Sequence, residues 1–382
     1  MKILMTSDTY LPSIGGGEYH VYYLAREIRR MGHKVTLFTT QKGECEDDKE
    51  MDVHRMQYKG VKSVFSLFKA IWKLSKNVDL IHAHYSYRLS FIAASVAFLR
   101  FKPLVVTQHG LGLLPEAGAK FPCTLAFRLW RRWSMTKSKK VISTSDDLSV
   151  DIKKLGFGKK IVHIPNGYDS ERFKQMGFVR NEDPVLLTTR RLVPKTGIQY
   201  LIDALPALKV KYPKLKFISI GDGRLKDDLE ELAEELGVSS MVEFKGSVPH
   251  EKILDYQKKA DIVVFPSTAE STSLACIEAM ALGKIIVASR VGGLIELLGA
   301  REERGYLVPI TDSEHCNYEA PMEIEPKKIA MLSDAISEAL ENREKAEAKA
   351  KKAAEYARAN YAWSEVAKRT EEVYESLVRT PL

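Results

Sequence analysis

The stretch DIVVFPSTAESTSLACIEAMALGKIIVAS, residues 261–289, holds one complete unit of the fold. Asp261–Pro266 and Lys284–Ser289 are short β-branched runs. A polar turn and a helix-forming segment lie between them. Strand, helix, strand is the crossover that links parallel strands, because the chain must be carried back over the sheet face before it can pair again. Ile262–Pro266 and Ile285–Ala288 within them are unbroken apolar stretches, as strands covered on both faces are.

The same alternation extends outward from this unit. Lys2–Ser7, Lys34–Thr40, Asp79–His84, Pro103–Gln108, Lys140–Ser145 and Lys160–Pro165 read as strands, with an amphipathic helix over Glu18–Met31 that Gly32 stops. Asn166–Pro184 is polar and aperiodic and breaks the pattern, which restarts with strands at Pro184–Arg190 and Lys216–Gly221. From Glu325 the chain is helical and rich in Lys, Glu and Ala, ending in an amphipathic segment, Trp363–Leu377. The expected fold class is α/β, two Rossmann-like doubly wound domains facing a cleft. The first spans 1–168, a linker 169–183, and the second 184–360, followed by a helix over 361–382. In such sheets ligands sit at the carboxyl ends of the strands, and with two domains the natural site is between them.

Composition narrows the classes. The chain has 382 residues, 45% hydrophobic and 28% charged, which excludes disorder as its main state. The longest apolar stretch, Leu89–Leu99, is too short to span a bilayer. No signal-peptide pattern is visible, so a cytoplasmic protein, or one peripheral at the inner membrane face, is expected. Cys45, Cys123, Cys276 and Cys316 are far apart and form no CxxC pair, against a zinc ribbon or redox dithiol. The net charge of +8 favours anionic partners. No RRM, KH or zinc-finger pattern is present, so no nucleic-acid partner is expected.

The candidate chemistry lies at strand ends. Ser13–Glu18 reads SIGGGE, three glycines at the mouth of a helix, where backbone N–H groups approach an anion. It is not the dinucleotide fingerprint, since His20 stands where the third glycine belongs. His82 and His84 share one face of a strand and His109 follows the next. A three-histidine zinc site is set aside because no cysteine or second metal motif supports it, and these side chains equally suit hydrogen bonding to substrate. No metal and no cofactor are expected. Arg190, Arg191 and Lys195 follow one strand and suggest a diphosphate clamp, or else a solvated basic turn. Glu270 precedes a helix and Glu278 lies two turns along it, a span of ~12 Å that matches the reach from a sugar to a ribose across a diphosphate. The amides of Ser273 and Leu274 would face the phosphate between them.

In order along the chain, these motifs resemble retaining GT-B glycosyltransferases, in particular glycosyltransferase family 4. PSTAESTSLACIEAMALG resembles the family's E-x7-E signature. IGGGEYHVYYLAREIRRMGHKVTLFT, HAHY, VVTQHG, IPNGYD, RRLVPKTG, GDGRLKDDL, VGGLIELL and AWSEVAKRTEEVYESL follow in the family's order. The resemblance implies that Arg191 and Lys195 hold the donor diphosphate with Arg190 beside them. It places Glu278 at the ribose, Glu270 at the donor sugar, and Gly221 with Ser247 and Val248 at the base. Gly16 and Gly17 pass close to the donor phosphate and sugar, and His109 lies near the reacting carbon. His84 and Tyr85 lie on the acceptor side, Glu296 matches the family's GG-x-x-E glutamate, and the final helix returns to the first domain. Two features depart from the family. Ser271-Thr272-Ser273 replaces a glycine-rich turn, and Lys195 stands one residue early, with Thr196 in the usual lysine place.

The expected partners are a nucleotide-sugar, UDP- or GDP-linked, and a sugar, glycan or lipid acceptor, with retained anomeric configuration. A nucleotide-sugar epimerase of the same architecture is the alternative. Lys62–Lys76 and Phe127–Lys140 are basic and aromatic, with Phe65, Phe68, Ile71 and Trp72 on one side of the first. Such segments lie on anionic membranes, but the plainer expectation is that the aromatics are core and the cations face solvent.

Overall fold

The computed structural model describes residues 1–13, 15–45, 51–58, 60, 62–85, 87–110, 121–178, 180–316 and 320–378. They form two compact units, Met1–Gly167 with the chain from Trp363 onward, and Tyr168–Ala362.

The first unit is built on a seven-stranded parallel sheet. Its strands are β1 (Lys2–Ser7), β2 (Lys34–Thr39), β3 (Asp52–Arg55), β4 (Leu80–His84), β5 (Leu104–Gln108), β6 (Lys140–Ser143) and β7 (Ile161–His163), in the order β3-β2-β1-β4-β5-β6-β7. Helices α1 (Gly16–Arg30), α2 (Lys62–Leu74), α3 (Arg88–Leu99), α4 (Phe121–Lys137) and α5 (Asp146–Lys154) connect them. Strand order reverses between β1 and β4, where Ser7 pairs with His84 and Met5 with His82. One core cluster joins Leu4, Ile81 and Val106 of the sheet to Leu67 and Ile71 of α2 and Ile92 and Val96 of α3.

The second unit has a six-stranded parallel sheet of β8 (Val185–Thr189), β9 (Lys216–Ile220), β10 (Val242–Phe244), β11 (Ile262–Phe265), β12 (Ile285–Ser289) and β13 (Tyr306–Val308), in the order β10-β9-β8-β11-β12-β13. Here the order reverses between β8 and β11. Helices α6 (Ile198–Lys211), α7 (Lys226–Glu235), α8 (His250–Lys259), α9 (Leu274–Leu282), α10 (Gly292–Leu298), α11 (Pro326–Glu341) and α12 (Arg343–Asn360) cover it. The aperiodic stretch after Gly167 runs along this unit. Its Tyr168 and Phe173 are buried against Cys276, Ile277 and Met280 of α9. Asp261 ties the same stretch to the sheet through the Val185 amide and the Asn181 side chain.

The last helix, α13 (Trp363–Val378), packs on α1 within the first unit. Both sheets are the parallel, doubly wound α/β type expected. Among the described residues no helix is long and apolar enough to cross a membrane.

Candidate functional site

In each unit the residues singled out above gather where strand order reverses. That is where the carboxyl ends of neighbouring strands diverge and leave room for a ligand.

In the second unit β8 leads directly into Arg190 and Arg191, and β11 runs into the turn that carries Glu270. Arg190 Nη2 makes an ion pair with Glu270 Oε2, and its Nη1 donates to Ser273 Oγ at 3.2 Å. Ser273 is also the N-cap of α9, with Oγ accepting from the Cys276 amide at 3.3 Å. The Ser-rich turn is thus a working helix cap. Arg190 is therefore bound to the turn itself, whereas Arg191 is exposed and its side chain has no acidic partner among the described residues. Lys195 lies in the short 3-10 turn Pro194–Thr196, and its carbonyl accepts from the Thr268 amide at 2.9 Å, joining the basic loop to the Glu270 turn. Thr196, in the place the family gives to lysine, is buried, with its hydroxyl donating to the carbonyls of Arg191 and Val193.

Glu278 is buried on α9. Its Oε1 accepts from His250 Nε2 at 2.7 Å, at the start of α8. Arg172 fixes the tautomer. A guanidinium only donates, so its Nη1, 3.3 Å from His250 Nδ1, requires Nδ1 unprotonated and Nε2–H pointing at the carboxylate. Arg172 Nη2 also donates to the His250 carbonyl at 2.7 Å. Glu278 has no other hydrogen-bond partner among the described residues, so one carboxylate edge is anchored and the other is available.

Gly221 directly follows β9, where a methyl group would lie 1.9 Å from the Arg190 carbonyl oxygen. Its glycine serves backbone approach between two loops. Ser247 is exposed, and Val248 packs on Leu187, Ile220 and Ala260 at the same sheet edge. Leu274 opens α9, and Glu296 is a partly buried residue of α10.

In the first unit the histidines form a buried group. His84 Nδ1 and His109 Nε2 share a hydrogen bond of 3.1 Å. The His20 ring lies 4.4 Å from that of His109, and His20 Nδ1 donates to Asn166 Oδ1 at 2.7 Å. His82, on the same strand face, is held by Tyr374 Oη at 2.6 Å and Thr107 Oγ1 at 2.7 Å. It braces the group while His20, from α1, joins His84 and His109. Tyr85 leaves β4 with φ 62°, the left-handed region, and its ring lies 4.7 Å from His109. A methyl group at Gly17 would lie 1.8 Å from Tyr85 Oη, so this glycine makes room for the phenol. Gly16 is exposed at the start of α1.

Burial, more than any neighbour, pushes His20 down to about 4 and His82 to about 3, and drives His84 and His109 well below the usual histidine range. All four are neutral near pH 7. Asp8, at the end of β1 beside the start of α3, is pushed up to about 6 by burial, against the pull of Arg88. These shifts predict acid sensitivity. Below pH 6.5 an unfolded chain protonates His20 and His82 while the folded unit does not, so stability falls with pH. Asp8 opposes this, gaining its proton in the folded state first. Together the three should cost on the order of 2–3 kcal/mol by pH 5. Denaturant unfolding between pH 7.5 and pH 5 checks this, and a flat profile would contradict it.

Four residues of these sites, Arg172, His250, His20 and Asp8, are not among those that sequence reasoning assigns a role. The signal for His20 is its place in SIGGGEYH. His250 and Arg172 give none, being distant in sequence from Glu278.

Comparison with known proteins identifies the fold and the family models it matches. The model for glycosyl transferases group 1 matches residues 169–320, and that for glycosyltransferase family 4 matches residues 14–172. A phosphatidylinositol N-acetylglucosaminyltransferase subunit from Arabidopsis thaliana is 25% identical, over 99% of this chain and 83% of its own length. An uncharacterized glycosyltransferase from Methanocaldococcus jannaschii is 29% identical, over 78% of this chain and 83% of its own. Among solved structures, Anabaena HepE in complex with UDP superposes with TM-score 0.77 at 21% identity, covering 99% of this chain and all of that one. Sucrose-phosphate synthase from Thermosynechococcus elongatus gives 0.78 at 21%, with the same coverage. The fold is the GT-B glycosyltransferase architecture.

Proposed function

Because the chain belongs to the glycosyl transferases of group 1 and glycosyltransferase family 4, we propose that it moves a sugar from a nucleoside diphosphate to an acceptor hydroxyl with retained anomeric configuration. The donor belongs to the second unit and the acceptor to the first. The observation that carries this reading is the organisation of α9. Its capped N-terminus is bonded to Arg190, and two turns along it a buried glutamate keeps one carboxylate edge available.

In this reading the bond from the anomeric carbon to the diphosphate breaks, and a bond to the acceptor oxygen forms on the same face. Negative charge gathers on the leaving phosphate. Arg191, Lys195 and the amides of Ser273 and Leu274 stabilise it, the kind of electrostatic effect that is usually largest. Glu278 accepts from the ribose diol. The ion pair fixes the Glu270 carboxylate toward the donor sugar and holds Arg190 beside the phosphate. The acceptor proton passes to a donor phosphate oxygen. Neutral His109 then serves by hydrogen bonding near the reacting carbon, with His84 and Tyr85 lining the acceptor side.

Relatives named phosphatidylinositol N-acetylglucosaminyltransferase support an N-acetylhexosamine donor and an inositol phospholipid acceptor. Their naming as subunits supports a protein partner. The test is calorimetric titration with UDP, GDP and ADP in EDTA, followed by transfer from the matching N-acetylglucosamine donor to phosphatidylinositol in detergent micelles. Micromolar binding of one nucleotide and a product of unchanged anomeric configuration are expected. An inverted product sinks retention. Acceptor-independent conversion of the donor sugar would replace transfer by epimerisation.

A further inference from the structure

We propose that the outer helical layer of the first unit, made by α2, the end of α3, and α4, is a docking face for an anionic membrane. The proposal rests on surface chemistry and is independent of the donor-site reading. Large apolar side chains are exposed at thirteen described positions. Seven of these lie between Phe65 and Leu129, which locates a patch rather than scattered exposure.

The three helices are neighbours, with α3 packed against both α2 and α4. The expectation that the aromatics of α2 are core is corrected here. Ile71 is buried and Phe68 partly so, but Phe65 is 71% exposed and Trp72 also reaches solvent. Helical spacing puts Phe65, Lys69 and Trp72 on one outward face, and Lys76 is exposed just beyond the helix. On α4 the rings of Phe127, Trp130 and Trp133 turn toward α3 or one another, leaving Leu125, Arg128, Leu129 and Arg132 as the outward stripe. At the end of α3 and just beyond it, Phe98, Leu99 and Phe101 stand in solvent within four residues. Phe101 is 78% exposed and held at φ 53°. Globular packing explains none of these three.

Charge selects the occupant. From Lys62 to Lys140 the sequence has fourteen Lys and Arg against two acids, Asp79 and Glu116. Lys69, Lys73, Lys76, Arg128 and Arg132 have no acidic partner among the described residues. Arg100 lies over the Trp72 ring at 4.0 Å, and the Lys137 ammonium over Phe98 at 3.6 Å. Aromatic rings beside long cationic side chains suit the headgroup boundary, where the ring enters and the charge remains with phosphate. Protein interface cores, by contrast, are depleted in lysine.

The test is cosedimentation of the full chain with phosphatidylcholine vesicles, with and without about one third phosphatidylglycerol, at low and high salt. Binding to the phosphatidylglycerol vesicles that high salt weakens is expected. Arg128→Gln with Arg132→Gln should lower that affinity about 30-fold, the effect of two basic side chains at an anionic surface. Phe98→Ser with Phe101→Ser should lower it at least as much, and Val210→Ser, an exposed apolar position on α6, not at all. All these positions are at least partly exposed, and unchanged melting would show that the variants fold. Absence of vesicle binding, or binding that neither double variant weakens, overturns the proposal. So does self-association that Phe98→Ser with Phe101→Ser abolishes without vesicle binding, which would assign the face to protein. Sugar transfer to a detergent-solubilised acceptor should survive every one of these variants. If it does while vesicle binding fails, only the docking proposal falls.

Discussion

Arg191→Ala should lower turnover about 100- to 1000-fold, the range seen when one preorganised group that stabilises transition-state charge is removed. It should leave the melting temperature nearly unchanged. The pairing of these two outcomes follows from exposure. Arg191 is in solvent and has no ion pair among the described residues, so its loss costs the fold about as little as other surface changes do. Arg190→Ala is the contrast. That side chain holds Glu270 and donates to the cap of α9, so its removal leaves a carboxylate stranded in a largely buried pair. A stability loss of about 3 kcal/mol should accompany the loss of activity. Equal activity of Arg191→Ala and the parent enzyme with the natural donor would remove Arg191 from the diphosphate site.

Glu278→Ala should weaken nucleotide binding about 10- to 100-fold, as expected for loss of a charged hydrogen-bond acceptor. It should also destabilise the second unit by about 2 kcal/mol, because the buried Nε2–H of His250, which Arg172 holds in place, loses its acceptor. His250→Ala separates the two effects. It removes the anchor and keeps the carboxylate, so stability should fall while nucleotide affinity drops less than in Glu278→Ala. Calorimetry with the nucleotide and denaturant unfolding measure the two quantities. Nucleotide affinity unchanged in Glu278→Ala would leave the glutamate a purely structural role.

Much of this was legible because burial writes itself into sequence. The strands buried on both faces carry unbroken apolar runs, such as Ile262–Phe265 and Ile285–Ala288. The strands not anticipated are β3, β10 and β13. β3 and β10 are short sheet edges that are only half covered, so Asp52–Arg55 and Val242–Phe244 keep polar residues and show no run. β13 is buried but only three residues long. The Glu270 and Glu278 spacing was readable because one helix carries it. The groups that hold those carboxylates come from other strands and helices, and Arg172 and His250 lie far from Glu278 in the chain. Local patterns do not record which distant loops a sheet brings together. The basic aromatic helices illustrate the converse. Their composition was plain, but which rings turn inward was settled only by packing.

The return of α13 to the first unit reverses the order in which the protein can be completed. Tyr374 holds His82, and the Trp363 ring meets that of His20 at 5.1 Å, so the buried histidine group is closed by residues near the end of the chain. A ribosome delivers all of the second unit before it delivers these. During synthesis the half that begins first therefore finishes last, waiting with an open histidine pocket while the later half folds. A nascent chain stalled before Trp363 would carry one finished sheet and one whose polar interior is still reachable by water.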